Sequence, residues 1–211
     1  MAYTDINPDV VAEIANDVGN TLNQINGDFD KFQADVFNKI KESWYNENAV
    51  KVMPDSVSSM TKVNKGVNES LSSLGKALGG AAEAWARANG AGGYSIQSIS
   101  DNAKALVCDV TDNKNGFRGM DVDDIQQAIN QAEAIKSEMV GRLSKLEAAG
   151  NREGFRGGNM QAQLSNVCET LKTQIENAVD AIITEITTNT GTARSNVEAA
   201  RSTTESTFTI S

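Results

Sequence analysis

The sequence contains no histidine, and this absence excludes several kinds of chemistry. Without an imidazole there is no histidine general base, no Ser-His or Cys-His nucleophile pair and no histidine ligand for a metal. The two cysteines, Cys108 and Cys168, are too few for a four-cysteine zinc site, and they can form one disulfide or remain as two inert thiols. We therefore predict a protein that is not an enzyme and that holds neither a cofactor nor a metal.

Proline and aromatic residues are also scarce: the 211 residues include two prolines, and 5% of them are aromatic. Few prolines together with much alanine, glutamine, asparagine, serine and threonine are typical of long helices rather than a turn-rich β protein. The formal net charge is −9, and the acidic excess is spread over both halves, so neither half offers the basic surface that nucleic acid needs. We predict an all-α protein that does not bind nucleic acid.

Long apolar runs are missing as well. No stretch approaches the length of a membrane-spanning helix, so we expect no membrane span. Residues 1–18 carry three aspartates and no basic residue, unlike the positively charged start of a cleavable signal peptide. If the protein leaves the cell, we expect it to do so without a conventional leader.

Apolar residues recur every three or four positions in four segments, which predicts four amphipathic helices. These segments span residues 10–40, 50–85, 125–146 and 160–200, and the third ends just before Gly150, a natural C-terminal cap. The buried stripes of such helices form a seam against one another. The residues that we expect at the interface between helices are Ile25, Phe29, Phe32, Val67, Leu71, Leu74, Ile135, Leu143, Leu171 and Ile175.

Capping and breaking residues locate the ends of the first two helices. Asn7 can cap the first helix, Pro8 suits its first position and Asp9 complements the helix dipole. Asn26-Gly27 is a turn signal inside this helix, which we expect to continue past it to about residue 43. Pro54 should either kink the second helix or move its start to that point.

A stretch rich in glycine, serine and asparagine, residues 89–120, separates the two pairs of helices. The segment 111–116 superficially resembles a calcium loop but lacks carboxylates at the required first and last positions, so we expect a polar turn. Just before this stretch, Gly75 and Gly79 line a face of small residues. That face either admits a closely packed partner helix or marks a loosening helix end.

These features predict two long antiparallel helical hairpins in tandem, packing as a four-helix bundle or completed by a partner. The first hairpin covers residues 1–88 with its turn at 44–48, and the second covers 121–211 with its turn at 150–158. Residues 89–120 are the predicted linker.

Each predicted turn contains an aromatic residue and a residue that tolerates a left-handed backbone. Trp44 and Phe155 are the aromatics, which we expect to close the open ends of the seams. Asn46 in the first turn and Gly157 in the second can adopt the left-handed conformation that a tight turn between helices needs.

The first turn resembles the Trp-x-Gly turn of the WXG100 or ESAT-6-like proteins. The resemblance lies in Trp44-Tyr45-Asn46, followed by Ala49 at the start of the second arm, and in the length and layout of residues 5–90. Phe155-Arg156-Gly157 with its flanking arms resembles a second, degenerate copy. Asn46 replaces the glycine in the first copy, and Phe155 replaces the tryptophan in the second.

The resemblance implies a small acidic helical protein exported without a signal peptide by a type VII secretion system of a Gram-positive bacterium. It implies a partner that is a second copy or another helical-hairpin protein, together with contacts to the secretion machinery. The family's export signal, Tyr-x-x-x-Asp/Glu, is absent: Tyr3, Tyr45 and Tyr94 have no acidic residue four positions on. Either a partner carries the signal, or the tandem form has diverged, or the resemblance is a convergence between helical hairpins.

A second hypothesis is a self-assembling structural coiled-coil protein, such as a filament or virion component. The composition, rich in asparagine, glutamine, serine, threonine and alanine and lacking histidine, resembles that of extracellular helical assemblies such as flagellins. Filament growth needs heterologous interfaces that do not close. The size distribution in solution separates the two hypotheses, since a filament protein gives a ladder of sizes.

Overall fold

A computed structural model of the chain describes residues 6–90, 93–116, 118–156 and 158–207. The described chain is mostly helical, which confirms the predicted all-α fold. Its elements are α1 (Pro8–Lys31), a π-helical turn (Phe32–Phe37), α2 (Asn38–Ser43), β1 (Trp44–Tyr45), α3 (Glu47–Ala88), β2 (Gly119–Met120), α4 (Val122–Ala149) and α5 (Asn159–Thr207). No helix among these residues combines the length and the apolar character needed to cross a membrane.

The first helix begins as predicted. The Asn7 side chain accepts a hydrogen bond from the backbone N–H of Asp9 at 2.9 Å, and Pro8 occupies the first helical position. The helix continues through Asn26-Gly27 without a break, and α1, the π-helical turn and α2 follow one another to Ser43. The turn signal inside the helix is therefore overridden by the packing of its apolar face.

The π-helical turn changes which side chains face the core. At 3.6 residues per turn Phe37 would lie about 140° around the helix from Phe32. The wider turn brings both residues inside, where they are fully buried and their rings meet edge to face at 5.2 Å. The regular stripe therefore predicted Phe32 in the core but missed Phe37.

The second long helix, α3, begins at Glu47 and runs through Pro54, so the proline does not set its start. Proline lacks the N–H that would donate to the carbonyl of Val50 one turn earlier. Val50 is 42% exposed, and water can satisfy that carbonyl on the solvent side of the helix. Of the two predicted effects of Pro54, the move of the helix start was therefore wrong, because Asn46 caps the helix eight residues earlier.

The helices pack in a ring in which α1 contacts α3, α3 contacts α5, α5 contacts α4, and α4 contacts α1 and α2. Backbone hydrogen bonds connect the helices at both ends of the bundle. The carbonyl of Ser43 accepts from the N–H of Asp121 at 2.7 Å at one end, and the carbonyl of Gly154 accepts from the N–H of Asn7 at 2.8 Å at the other. Buried side chains from all of these helices form one cluster.

Helix α4 has the ends that its sequence indicates. The Asp121 side chain caps α4 by accepting from the N–H groups of Asp123 and Asp124, each at 3.1 Å. The helix ends at Ala149, directly before Gly150. Helix α5 continues through the threonine-rich stretch and Gly191.

Residues 93–110, which we call the strap, form no helix or strand. They run along α3 from beside Gly79 to beside Thr61, back towards the start of α4. The polar segment after the strap turns through left-handed backbone at Asn115 (φ 54°) and Gly116 (φ 81°). No group of acidic or cysteine side chains suited to a metal ion occurs in the described part of the chain. The left-handed residues Asn115 and Gly116 make the end of the segment 111–116 a turn.

Candidate functional site

The first turn is built around a completely buried tryptophan. Trp44 has no exposed surface and pairs with Met120 in the short antiparallel ladder that joins β1 to β2. This ladder fastens the turn to the residues that lead into α4. The indole Nε1 has no hydrogen-bond acceptor among the described residues. The ring therefore contributes through its size rather than through its N–H group.

Asn46 does not adopt the left-handed backbone that we expected. Its backbone is extended (φ −153°, ψ 175°), and its side chain accepts from the N–H of Ala49 at 3.1 Å as the N-cap of α3. The extended residues Trp44 and Tyr45 already reverse the chain between the helices, so no left-handed residue is needed here. Asparagine serves this turn as a cap.

The second turn places Phe155 in the core with 1% of its surface exposed. Among the described residues of this turn, Gly154 has a left-handed backbone, with φ +86°. A Cβ atom at Gly154 would lie 2.7 Å from the Cβ of Asn7, so glycine is also needed for the close approach to the start of α1. Gly157, the glycine that we predicted for this role, lies outside the described residues.

The predicted interface residues all lie inside the chain's own core. Their exposed fractions range from 0% to 7%. They face one another across the helices of a single chain and are therefore not available to a partner in this conformation. These residues are Ile25, Phe29, Phe32, Val67, Leu71, Leu74, Ile135, Leu143, Leu171 and Ile175.

The strap is held by side-chain amides that bond to its main chain. Asn16 of α1 accepts from the N–H of Gln97 at 2.8 Å and donates to the carbonyl of Ser95 at 3.4 Å. Gln33, in the π-helical turn, accepts from the N–H of Val107 at 2.8 Å and donates to its carbonyl at 2.7 Å. Each amide thus offers the donor and acceptor pair that a neighbouring β-strand would offer.

Helix α3 adds further contacts of the same kind. Asn64 donates to the carbonyl of Lys104 at 2.9 Å, and Asn68 accepts from the N–H of Asn102 at 3.2 Å. The hydroxyl of Thr61 accepts from another strap N–H at 3.2 Å. All of these bonds go to the strap's backbone, so they do not depend on its side chains.

Glycines in both helices make room for the strap's aliphatic residues. A Cβ at Gly75 would lie 2.1 Å from Cδ1 of Ile99, and one at Gly19 would lie 3.1 Å from its Cγ1. A Cβ at Gly79 would lie 3.0 Å from Cδ1 of Ile96. The small-residue face that we noted at Gly75 and Gly79 therefore receives an extended segment rather than a partner helix.

The two cysteines are buried free thiols. Burial raises the pKa of the Cys108 thiol to about 12, and that of the Cys168 thiol to about 12 as well. Cys108 lies on the strap with its Sγ 3.1 Å from the carbonyl oxygen of Phe37. Both thiols are therefore protonated at neutral pH, and neither has the lowered pKa of a reactive nucleophile.

The strap lies in a groove between α1 and α3, which sequence reasoning did not predict. Several features of the sequence nevertheless pointed to it. Asn64 and Asn68 interrupt the apolar stripe of α3 one turn apart, and both are almost completely buried. Two glycines on the same helix and two isoleucines in the supposed linker were visible too. A buried polar side chain at a seam position needs a hydrogen-bond partner. For Asn64 and Asn68 the strap backbone supplies one.

Comparison with family models, with curated proteins and with solved structures finds no match to this chain. The likeness to WXG100 proteins therefore rests on the residues of the two turns and on the layout of the arms.

Proposed function

We propose that this chain is a non-enzymatic helical-hairpin binding protein, related to the substrates or dimerisation partners of type VII secretion. In this proposal α1 to α3 form one hairpin and α4 with α5 the other. The observation that carries it is the burial of one aromatic, Trp44 or Phe155, at the turn of each hairpin, with a single core between the two.

Contacts between the proposed hairpins support their pairing within one chain. Helix α1 packs on α4, and α3 packs on α5. The carboxylate of Asp28, 1% exposed on α1, lies 3.1 Å from Nη2 of Arg142 on α4, and Lys31 of α1 lies 2.8 Å from Glu138. In the resembled family two separate hairpins meet to make four helices, and here one chain supplies both.

The proposal places the protein outside the cell, exported from the cytoplasm of a Gram-positive bacterium without a cleaved leader. No Tyr-x-x-x-Asp/Glu sequence is present, so a second helical-hairpin protein would bring the signal to the secretion machinery. Because the seam residues are already buried, this partner would contact the outer faces of the bundle.

An export assay tests the proposal. The chain and its genomic neighbours are expressed in a Gram-positive host with an active type VII ATPase and in the same host lacking it. We expect the protein in the medium only in the first host, with a cytoplasmic marker retained in both. Equal release from both hosts would show that export does not depend on this system.

A self-assembling structural protein is the second candidate, and the length of α5 favours it. Helix α5 has 49 residues against 28 in α4, so its C-terminal part extends past its antiparallel neighbour. The side chains of 187–196 are exposed or half-buried and could contact a neighbouring copy. Gel filtration across a concentration series separates the candidates, because an assembling protein gives a ladder of sizes.

A further inference from the structure

We propose that the groove between α1 and α3 is a binding site for an extended polypeptide segment, and that the strap occupies it as an internal ligand. The partner that fits is a segment with two aliphatic residues three positions apart, as Ile96 and Ile99 are. This inference rests on one part of the proposed function, namely that the chain acts by binding another protein. To that it adds the binding site and the kind of partner.

The first argument is that the groove recognises backbone. Five side chains of the groove bind main-chain N–H and carbonyl groups of the strap. They are Asn16, Gln33, Thr61, Asn64 and Asn68. Every polypeptide carries these groups along its backbone. A foreign segment can therefore form the same bonds, as in the addition of a peptide strand to a sheet edge.

The second argument is that two pockets select side chains. Gly19 and Gly75 leave the space that Ile99 fills, and Gly79 leaves the space for Ile96. The end of the Ile99 side chain lies so close to α3 that a methyl group on residue 75 would overlap it. These pockets supply the preference for aliphatic residues three apart, which the backbone contacts cannot supply.

The third argument is that few of the strap's side chains are buried. Ile99, Leu106 and Cys108 are its buried residues, and Tyr94, Ile96 and Val110 are half-buried. Its other side chains are exposed. A segment with so few buried contacts opens locally at a lower free-energy cost than the helices that it covers.

An open groove would leave the side-chain N–H group of Asn64 without its acceptor, while Asn68 would keep its bonds to Asn26 and Asn64. Asn64 and Asn68 are 2% and 0% exposed, and both lose a bond to the strap when it lifts. Buried amides without hydrogen-bond partners are costly. The groove therefore favours an occupied state, either by the strap or by a segment that replaces it.

Peptide binding tests the inference. The probe is a fluorescent peptide with the sequence of residues 93–107, which contains no cysteine, titrated into the full-length protein and followed by anisotropy. The tethered strap competes at an effective concentration on the order of millimolar, so the decisive protein is the Ile99→Ser variant. We expect that variant to bind the peptide at least roughly tenfold more tightly than the wild type.

Matched controls locate the binding. A peptide with aspartate at both isoleucine positions should not bind. Adding Gly75→Ala to the Ile99→Ser variant should abolish binding, whereas adding Gly80→Ala should not, because a Cβ at Gly80 meets no atom within 4 Å. Circular dichroism shows whether each variant keeps its helices. If the Ile99→Ser variant does not fold, the Ile96→Ser variant is used in its place.

Cysteine labelling shows whether the peptide displaces the strap. Bound peptide should speed the alkylation of Cys108, on the strap, and leave that of Cys168, in the core of α5, unchanged. The inference is overturned if the folded Ile99→Ser variant shows no saturable binding, or if binding survives Gly75→Ala. The export assay does not depend on this groove, so the two proposals can fail separately.

Discussion

Trp44 is the largest of the fully buried side chains in the described core, and its indole nitrogen has no acceptor there. A buried donor without a partner costs about 1–3 kcal/mol. The large apolar surface of the ring, set against the last layer of the seam, must outweigh that cost. The turn therefore needs an aromatic ring and does not need the indole N–H.

We predict that Trp44→Ala lowers the free energy of unfolding by about 3–5 kcal/mol, because a large buried ring leaves a cavity. Trp44→Phe should cost about 1 kcal/mol or less, because it keeps a ring and removes the unpaired donor. Urea denaturation of both variants measures this difference.

Phe155→Ala is the matched comparison at the second turn, with an expected loss of about 3–5 kcal/mol. If Trp44→Phe is as destabilising as Trp44→Ala, the indole N–H makes a bond that the structure does not show. A loss below about 1 kcal/mol for Trp44→Ala would instead place the ring on a surface.

Burial at the seam positions followed from the periodicity, whereas Val50, which begins the second stripe, is 42% exposed. The ten seam residues, Trp44 and Phe155 are all buried. The role of Asn46 was not predictable, because asparagine is favoured both in left-handed turns and at N-caps. Asn26 carried a turn signal, yet its side chain exchanges hydrogen bonds of 3.1 and 2.8 Å with Asn68 across the seam. Such a pairing depends on where α3 lies, which local sequence does not contain.

Between elements, an ion pair connects α1 to α4. Asp28 is 1% exposed, and the Arg142 guanidinium meets both of its carboxylate oxygens. The same hydrogen bond to Asp28 raises the pKa of Arg142, so the guanidinium stays charged. Removing one partner of such a pair leaves a buried charge, which costs more than the pair itself contributes.

Arg142→Ala should therefore destabilise the protein by about 3 kcal/mol, because Asp28 keeps only Lys31 at 3.4 Å. The double variant Asp28→Leu with Arg142→Leu should recover most of this loss. Denaturant unfolding of the single and double variants measures both effects. Arg194→Ala, which breaks an exposed pair with Glu198, is the control and should cost less than about 0.5 kcal/mol.

A second polar link joins α4 to α5. Glu147 lies 2.7 Å from the Lys172 ammonium and accepts from the Ser165 hydroxyl at 2.6 Å. The hydrogen bond from Lys172 is the main cause of a lowered Glu147 pKa, and the bond from Ser165 adds to it. The unfolded chain thus binds a proton at this glutamate at a higher pH than the folded chain does.

Because the folded-state pKa of Glu147 is depressed, its stabilising effect is complete above the unfolded value of about 4.3 and is lost as the pH falls through the folded value. We expect the free energy of unfolding to decline from about pH 5 downwards, and Glu147→Gln to flatten this decline. Urea unfolding at a series of pH values tests it. Glu176→Gln, an exposed glutamate on α5, should keep the wild-type profile, and an equal flattening there would refute the assignment.

Element boundaries were predictable where caps and breakers act locally. The start of α1 at Pro8, its continuation to residue 43 and the end of α4 before Gly150 all match the structure. The π-helical turn and the strap were not predictable. A π-helical turn has no regular apolar spacing, and the strap is fixed by amides from two distant helices, so neither leaves a periodic pattern.

For the whole molecule, the decisive feature is that one chain fills its own core. Side chains from α1 to α5 join a single buried cluster that includes both turn aromatics. A single amphipathic hairpin would leave its seam exposed and would need a partner, as two-helix arms usually do. In the proposed tandem arrangement, two covalently linked hairpins at high effective concentration would remove that need.

We therefore predict that the protein unfolds as a monomer. Its melting temperature should stay constant from about 1 to 100 µM, because only the unfolding of an oligomer depends on protein concentration. Circular dichroism melts at several concentrations measure this, and light scattering should give a mass near 22.5 kDa. A melting temperature that climbs with concentration, together with a doubled mass, would mean that a second copy completes the bundle. In that case the contacts of α1 with α4 and of α3 with α5 would form between chains, and the strap would be the segment that crosses from one chain to the other.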